Sequence, residues 1–90
     1  IILPDECNDE QYLRSMAEPL GKASQFAPQL VLVSAGFDAG QGEAEGARIS
    51  PAGFAAITRE LCQLAAPLQA PVIASLEGGY GPLLGQNVAA

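Results

Sequence analysis

The chain has no histidine. Metal sites and proton-transfer sites near neutral pH draw on that residue heavily. Chemistry carried by these 90 residues therefore rests on carboxylates, Tyr80, two cysteines and backbone groups. Cations are scarce as well: four Lys and Arg stand against ten Asp and Glu, for a net charge of −6. Nucleic-acid binding needs clustered Lys and Arg, and an anionic membrane surface attracts the same residues. The balance argues against direct contact with either and favours cationic partners. Cys7 and Cys62 lie in no CxxC motif. They read as reduced thiols of a cytoplasmic protein, with a disulfide as the alternative. Neither a signal peptide nor an apolar run of membrane-spanning length is present.

What is there is globular in kind: 49% apolar residues, ten glycines and no low-complexity tract. The length fits one domain or part of one. The chain starts in the apolar triplet Ile1-Ile2-Leu3 without an initiator Met. It stops at Asn87-Val88-Ala89-Ala90 inside a helical pattern. Both ends predict a piece of something longer.

Asn8 or Asp9 is a good N-cap, with acidic residues following in the first turn. Leu13, Met16, Ala17, Leu20, Ala23 and Phe26 then recur at helical spacing, which predicts an amphipathic helix from Glu10 to Phe26. Pro19 should bend or weaken it. After Pro28, Leu30-Val31-Leu32-Val33 is a continuous apolar run, the pattern of a parallel strand covered on both faces. Ser50-Pro51 starts a second helix, Ser as N-cap and Pro at the first helical position. Phe54, Ile57, Leu61, Leu64 and Ala65 line one side of it. Pro71 to Leu76 predicts a second buried strand, and a further helix starts at Leu83. The order helix-strand-helix-strand-helix predicts an α/β fold with a parallel sheet. Working loops in such sheets leave the carboxyl ends of the strands. Two glycine-rich loops, Ser34 to Ile49 and Glu77 to Pro82, sit there.

The first loop carries Asp38, Glu43 and Glu45 and only one basic residue, Arg48. A dinucleotide-phosphate loop is excluded. Gly40-Gln41-Gly42 begins the pattern, but Glu45 stands where the third glycine is needed, and carboxylates repel phosphate. A metal is the functional alternative, with Asp38 at the loop entry and Glu43 and Glu45 as oxygen donors. A solvated acidic loop with Asp38 capping a turn is the plain one. In the second loop, Glu77-Gly78-Gly79-Tyr80 is either an ordinary turn with a packed tyrosine or a device that aims the Tyr80 hydroxyl at a developing oxyanion. Parallel strands would bring Asp38 and Tyr80 to one rim.

The run Pro28-Gln29-Leu30-Val31-Leu32-Val33-Ser34-Ala35-Gly36-Phe37-Asp38-Ala39 resembles a signature of the zinc-dependent histone deacetylase and acetylpolyamine amidohydrolase family, class II-like branch. Ser50-Pro51-Ala52-Gly53-Phe54 and Leu76-Glu77-Gly78-Gly79-Tyr80 resemble two later signatures, and Asp9-Glu10-Gln11-Tyr12-Leu13 resembles the helix start before them. The resemblance covers essentially the whole chain. It implies a parallel-sheet fragment of the arginase/deacetylase fold, the C-terminal portion of the catalytic domain. It implies that Asp38 is one aspartate ligand of Zn2+, that Tyr80 hydrogen-bonds the scissile carbonyl, and that Gly78 and Gly79 form the turn beside the substrate tunnel. The reaction implied is hydrolysis of an acyl amide on a lysine or polyamine amine.

The family's other zinc ligands and its histidine pair lie upstream of the region resembled. The resemblance therefore implies that residues 1–90 need the remainder of the catalytic domain as partner and are inactive alone. Glu43-Ala44-Glu45-Gly46 stands where the family usually has Asp-Pro-Leu-Gly. The resemblance implies that Glu45 replaces an apolar residue at the tunnel mouth, as in the polyamine-selective branch, and would attract a distal ammonium; a solvent-facing Glu in a loop one residue shorter is the alternative. A catalytically silent interaction module with half of the fold, or an unrelated α/β small-molecule-binding domain, are the rival readings.

Overall fold

A computed structural model describes residues 1–43 and 47–90. Its elements run α1 (Asp9–Phe26), β1 (Val31–Gly36), α2 (Pro51–Ala65), a single 3₁₀ turn (Ala66–Leu68), β2 (Val72–Gly78) and α3 (Leu84–Ala89). The alternation expected from the apolar patterning is the one observed.

Helix α1 is started by Asn8. Its side chain accepts from the Gln11 N–H at 2.9 Å, and the Gln11 side chain accepts from the Asn8 N–H at 3.1 Å. This reciprocal box satisfies two donors that the first turn leaves free. The helix runs through Pro19 without a break in assignment. It stops at Ala27, which is left-handed (φ 54°) and precedes Pro28. Leu13, Met16, Leu20 and Ala23 are half-buried as their spacing predicts, but Ala17 is exposed and Phe26 is 82% exposed. Those two lie outside the packed face. Helix α2 starts as expected, with Ser50 accepting from the Gly53 N–H at 3.0 Å and Pro51 in the first turn.

The two strands pair in parallel, Val31 with Val72 through Ala35 with Leu76. One face of β1 carries α1 and α2. Val31, Val33 and Ala35 are half-buried, and Val33, Ala35 and Phe37 join Tyr12, Met16 and Phe54 around a cavity of about 320 Å³ between sheet and helices. The expectation of strands covered on both faces is not met. Leu32 is 70% exposed, and Ile73 and Leu76 are 56% and 64% exposed. Among the described residues the helices cover one face of β1, which leaves Leu32 bare, and they leave β2 exposed on both faces, including Leu76, which pairs with Ala35 on the helix side.

The buried core is Cys7, Ile49, Phe54 and Ala65. Ala65 closes the far end of α2, while Cys7, Ile49 and Phe54 gather where the two helices begin. There Asp9, in the first turn of α1, reaches the start of α2: the Ser50 N–H donates to its Oδ1 at 2.8 Å and the Ser50 hydroxyl donates to Oδ2. The carboxylate also sits favourably at the positive end of α2. Gly53 leaves it room, since a Cβ there would meet Asp9 Cγ at 2.5 Å and Ile49 Cγ2 at 2.9 Å. Gly53→Ala is therefore expected to destabilise the intact domain by about 2 kcal/mol, overpacking outweighing helix propensity. In the chain itself nothing lies within 4 Å of a Cβ added at Gly21 of α1. Gly21→Ala is expected to stabilise by roughly 1 kcal/mol. Urea midpoints of the two variants should move in opposite directions. A shift of the same sign would refute the packing account.

Candidate functional site

The carboxyl ends of β1 and β2 are set by a register shift. Ala35 pairs with Leu76, but Gly36 pairs with Gly78, so Glu77 is an extra residue in β2. A bulge of this kind bends a strand and re-aims the residues beyond it. Here it brings the two loops into step. Asp38 lies two residues beyond Gly36, and Tyr80 two residues beyond Gly78. Counted from the Gly36–Gly78 pair, the residues expected at one rim stand at equivalent positions in their loops.

Backbone contacts hold the loops together. The Phe37 N–H donates to the Gly78 carbonyl at 2.9 Å, continuing the ladder past the strands. Gly79 has φ +80°, a conformation that glycine adopts without penalty. A Cβ at Gly79 would meet Phe37 Cα at 2.6 Å, so the second loop lies directly on the first. The first loop is fixed in turn from its far side. The Ile49 N–H donates to Ala39 O and the Gln41 N–H to Ile49 O, both at 3.0 Å, and Ile49 is fully buried. The Phe37 ring packs on Phe54, centroids 4.8 Å apart and tilted by 56°.

Asp38 is exposed. Its Oδ1 lies beside two glycines: a Cβ at Gly36 would come within 2.8 Å of it and one at Gly78 within 3.9 Å. The absence of side chains there leaves the carboxylate open at the sheet edge. It can offer one oxygen ligand to a cation. A catalytic zinc takes three protein ligands. Among the described residues no group of three or more His, Cys, Asp or Glu could hold a metal. The donor set fits one ligand position and not a complete site. Tyr80 is 84% exposed, its hydroxyl free to donate to a bound molecule. Gly78 and Gly79 line the junction of the loops, Gly79 buried and Gly78 half-buried. Glu45 lies outside the described residues.

Glu43 lies at the contact between the two loops. It is half-buried, and its Oε1 accepts a hydrogen bond from the Gly81 N–H. This contact and the Asp9–Ser50 pair were both illegible in the linear sequence. A Glu in a polar loop and an Asp in a first helical turn each have an ordinary local explanation.

Comparisons with known proteins agree with this architecture. The family model of the histone deacetylase domain matches residues 1–90. The chain is 47% identical over 68 residues to the polyamine deacetylase HDAC10 of Danio rerio, a match covering 73% of this chain and 10% of that protein. The crystal structure of the HDA15 HD domain superposes with a TM-score of 0.79 at 32% identity, over 96% of this chain and 24% of that one. The structure of the histone deacetylase Clr3 gives 0.76 at 33%, over 96% and 14%. The chain thus spans about a tenth of the length of the curated relative and at most a quarter of these solved chains. Its paired parallel strands and flanking helices are part of the arginase/deacetylase fold. With a matching family model over its whole length and strand-end loops built on that fold, the chain belongs to the histone deacetylase family.

Proposed function

We propose that the intact protein is a zinc-dependent amidohydrolase that removes acetyl or other acyl groups from lysine or polyamine amines, and that residues 1–90 are the C-terminal portion of its catalytic domain. The observation that carries this reading is the Gly36–Gly78 register, with Asp38 and Tyr80 equally spaced beyond it on one edge. Asp38 would hold zinc as one ligand. When bound, the metal supplies Lewis-acid polarisation of the acyl carbonyl and an activated water. Tyr80 donates a hydrogen bond to the carbonyl oxygen as negative charge builds on it. Gly78 and Gly79 keep the wall beside the acyl group free of side chains. The remaining ligands and the proton-transfer groups belong to the remainder of the catalytic domain, because this chain has no histidine. Residues 1–90 alone are inactive on this reading. Two free cysteines support a reducing, cytoplasmic setting.

Glu45 carries the choice of substrate. A carboxylate at the tunnel mouth attracts the distal ammonium of an acetylpolyamine, and the similarity to a polyamine deacetylase supports that preference. Rates of the intact enzyme on acetylspermidine and on an acetyl-lysine peptide, before and after Glu45→Leu, test both levels. The ratio should fall roughly fivefold, the equivalent of about 1 kcal/mol for an exposed ion pair. An unchanged ratio removes the polyamine preference. No hydrolysis of either substrate by the unmodified enzyme removes the proposed reaction.

A further inference from the structure

We infer that Glu43 is a positioning residue for Tyr80, a role that rests on the proposed deacetylation but on separate observations. Tyr80 sits between two glycines, Gly79 and Gly81. Gly79 is pressed against Phe37, on the upstream side of Asp38. On the downstream side, the carboxylate of Glu43 accepts the Gly81 N–H. The missing side chain of Gly81 gives the carboxylate its place: a Cβ there would meet Glu43 Cδ at 2.6 Å and Oε2 at 3.1 Å and push it aside. One residue further along, the ring of Pro82 lies 3.7 Å from the Cβ position of Gly42. The Asp38 loop thus holds the tyrosine loop on both sides of Tyr80, by Phe37 N–H to Gly78 O before it and by Glu43 to Gly81 N–H after it.

Among the described residues the Glu43 contact is the side-chain hydrogen bond between these loops, and so the one that a substitution can remove while the Pro82 ring stays beside Gly42. Without it the loop after β2 keeps its attachment at Gly78 but loses the second point that orients the tyrosine. A single hydrogen-bonded attachment, with only an apolar contact of Pro82 beyond it, gives the chain room to pivot, and a hydroxyl that must meet an oxyanion at hydrogen-bond distance tolerates little pivoting. A charge-assisted hydrogen bond to a backbone amide is also stronger than a neutral one, which suits an anchor in a loop that ligands approach. The acid in the metal loop therefore acts on the other half of the site, through the backbone of Gly81.

The test uses the intact enzyme and three changes. Glu43→Ala removes the acceptor, Glu43→Gln keeps an oxygen acceptor without the charge, and Gly81→Ala drives a methyl group into the carboxylate. Glu43→Ala is expected to lower kcat about tenfold, less than loss of the tyrosine hydroxyl itself, with KM and zinc content close to those of the unmodified enzyme. Glu43→Gln should recover most of that loss. Amide hydrogen exchange of the segment 79–82 should speed up in Glu43→Ala and not in Glu43→Gln. That readout needs no turnover, so it tests the geometry even if the proposed reaction is wrong. Gly81→Ala should reproduce the kcat loss, and the double variant should be no worse than either single one. Unchanged exchange at 79–82 in Glu43→Ala, failure of Gln to recover what Ala loses, or additive losses in the double variant would overturn the inference. An active enzyme in which all three occur would leave the deacetylase reading intact and remove only this role for Glu43.

Discussion

Asp38→Asn in the intact protein is expected to lose most of its bound zinc while keeping its fold. The carboxamide has the size and shape of the carboxylate, and the open edge beside Gly36 and Gly78 accommodates either. Within residues 1–90 Asp38 is exposed, so the change strands no partner in this part of the domain. Compared metal-free, the stabilities should agree within about 0.5 kcal/mol, and the zinc-loaded unmodified protein should be the more stable by its bound metal. The metal is affected differently. A negative oxygen ligand becomes a neutral one, and a site with three protein ligands loses a large share of the charge that offsets the cation. Loss of a mere outer-shell partner costs roughly 10–100-fold in metal affinity, so loss of a direct ligand should exceed about 100-fold. Elemental analysis of the desalted variant, with a urea melt alongside, separates the two effects. Stoichiometric zinc in Asp38→Asn would show that Asp38 is not a ligand, whatever happened to the rate.

The parts of the fold that were legible were those written in local chemistry. Asn8 and Ser50 are caps whose partners lie three residues on, and Pro28 and Pro51 punctuate the chain within a turn of their own positions. Short-range rules suffice for such features. The parallel pairing was legible because the apolar runs are too short for helices and are separated by one. The rim was legible only in outline. Equal spacing of Asp38 and Tyr80 depends on Glu77 being an extra residue, and nothing in Leu76-Glu77-Gly78 says which residue a bulge will leave over. The contacts of Asp9 with Ser50 and of Glu43 with Gly81 span 41 and 38 positions. A carboxylate advertises that it will accept a hydrogen bond but not from which amide. Leu32, Ile73 and Leu76 mark a different limit. An apolar residue states that burial is favourable, not that the same 90 residues contain the surface that buries it.

Tyr80→Phe is expected to keep zinc and lose most turnover, the reverse of the outcome at Asp38. Within residues 1–90 the ring is 84% exposed, the variant keeps that ring, and removing one oxygen leaves the loop attached through Gly78 and Gly81. The hydroxyl is then the only thing lost. Its donor is idle against the ground-state amide in proportion to how little charge that oxygen carries, and it gains as the tetrahedral centre forms. An interaction stronger in the transition state than in the ground state appears in kcat rather than in KM. Removing one oxyanion donor typically costs 10²–10³ in rate, and a fall of roughly that size is expected here. Zinc content should match the unmodified enzyme, because Tyr80 is reached from β2 and Asp38 from β1, and the backbone bond of Phe37 to Gly78 that joins them needs neither side chain. A hydroxyl that merely bound substrate would give a raised KM at constant kcat. Near-normal kcat in Tyr80→Phe would show that the oxyanion is met by another group, and that the tyrosine at the end of β2 shapes the rim without taking part in the reaction.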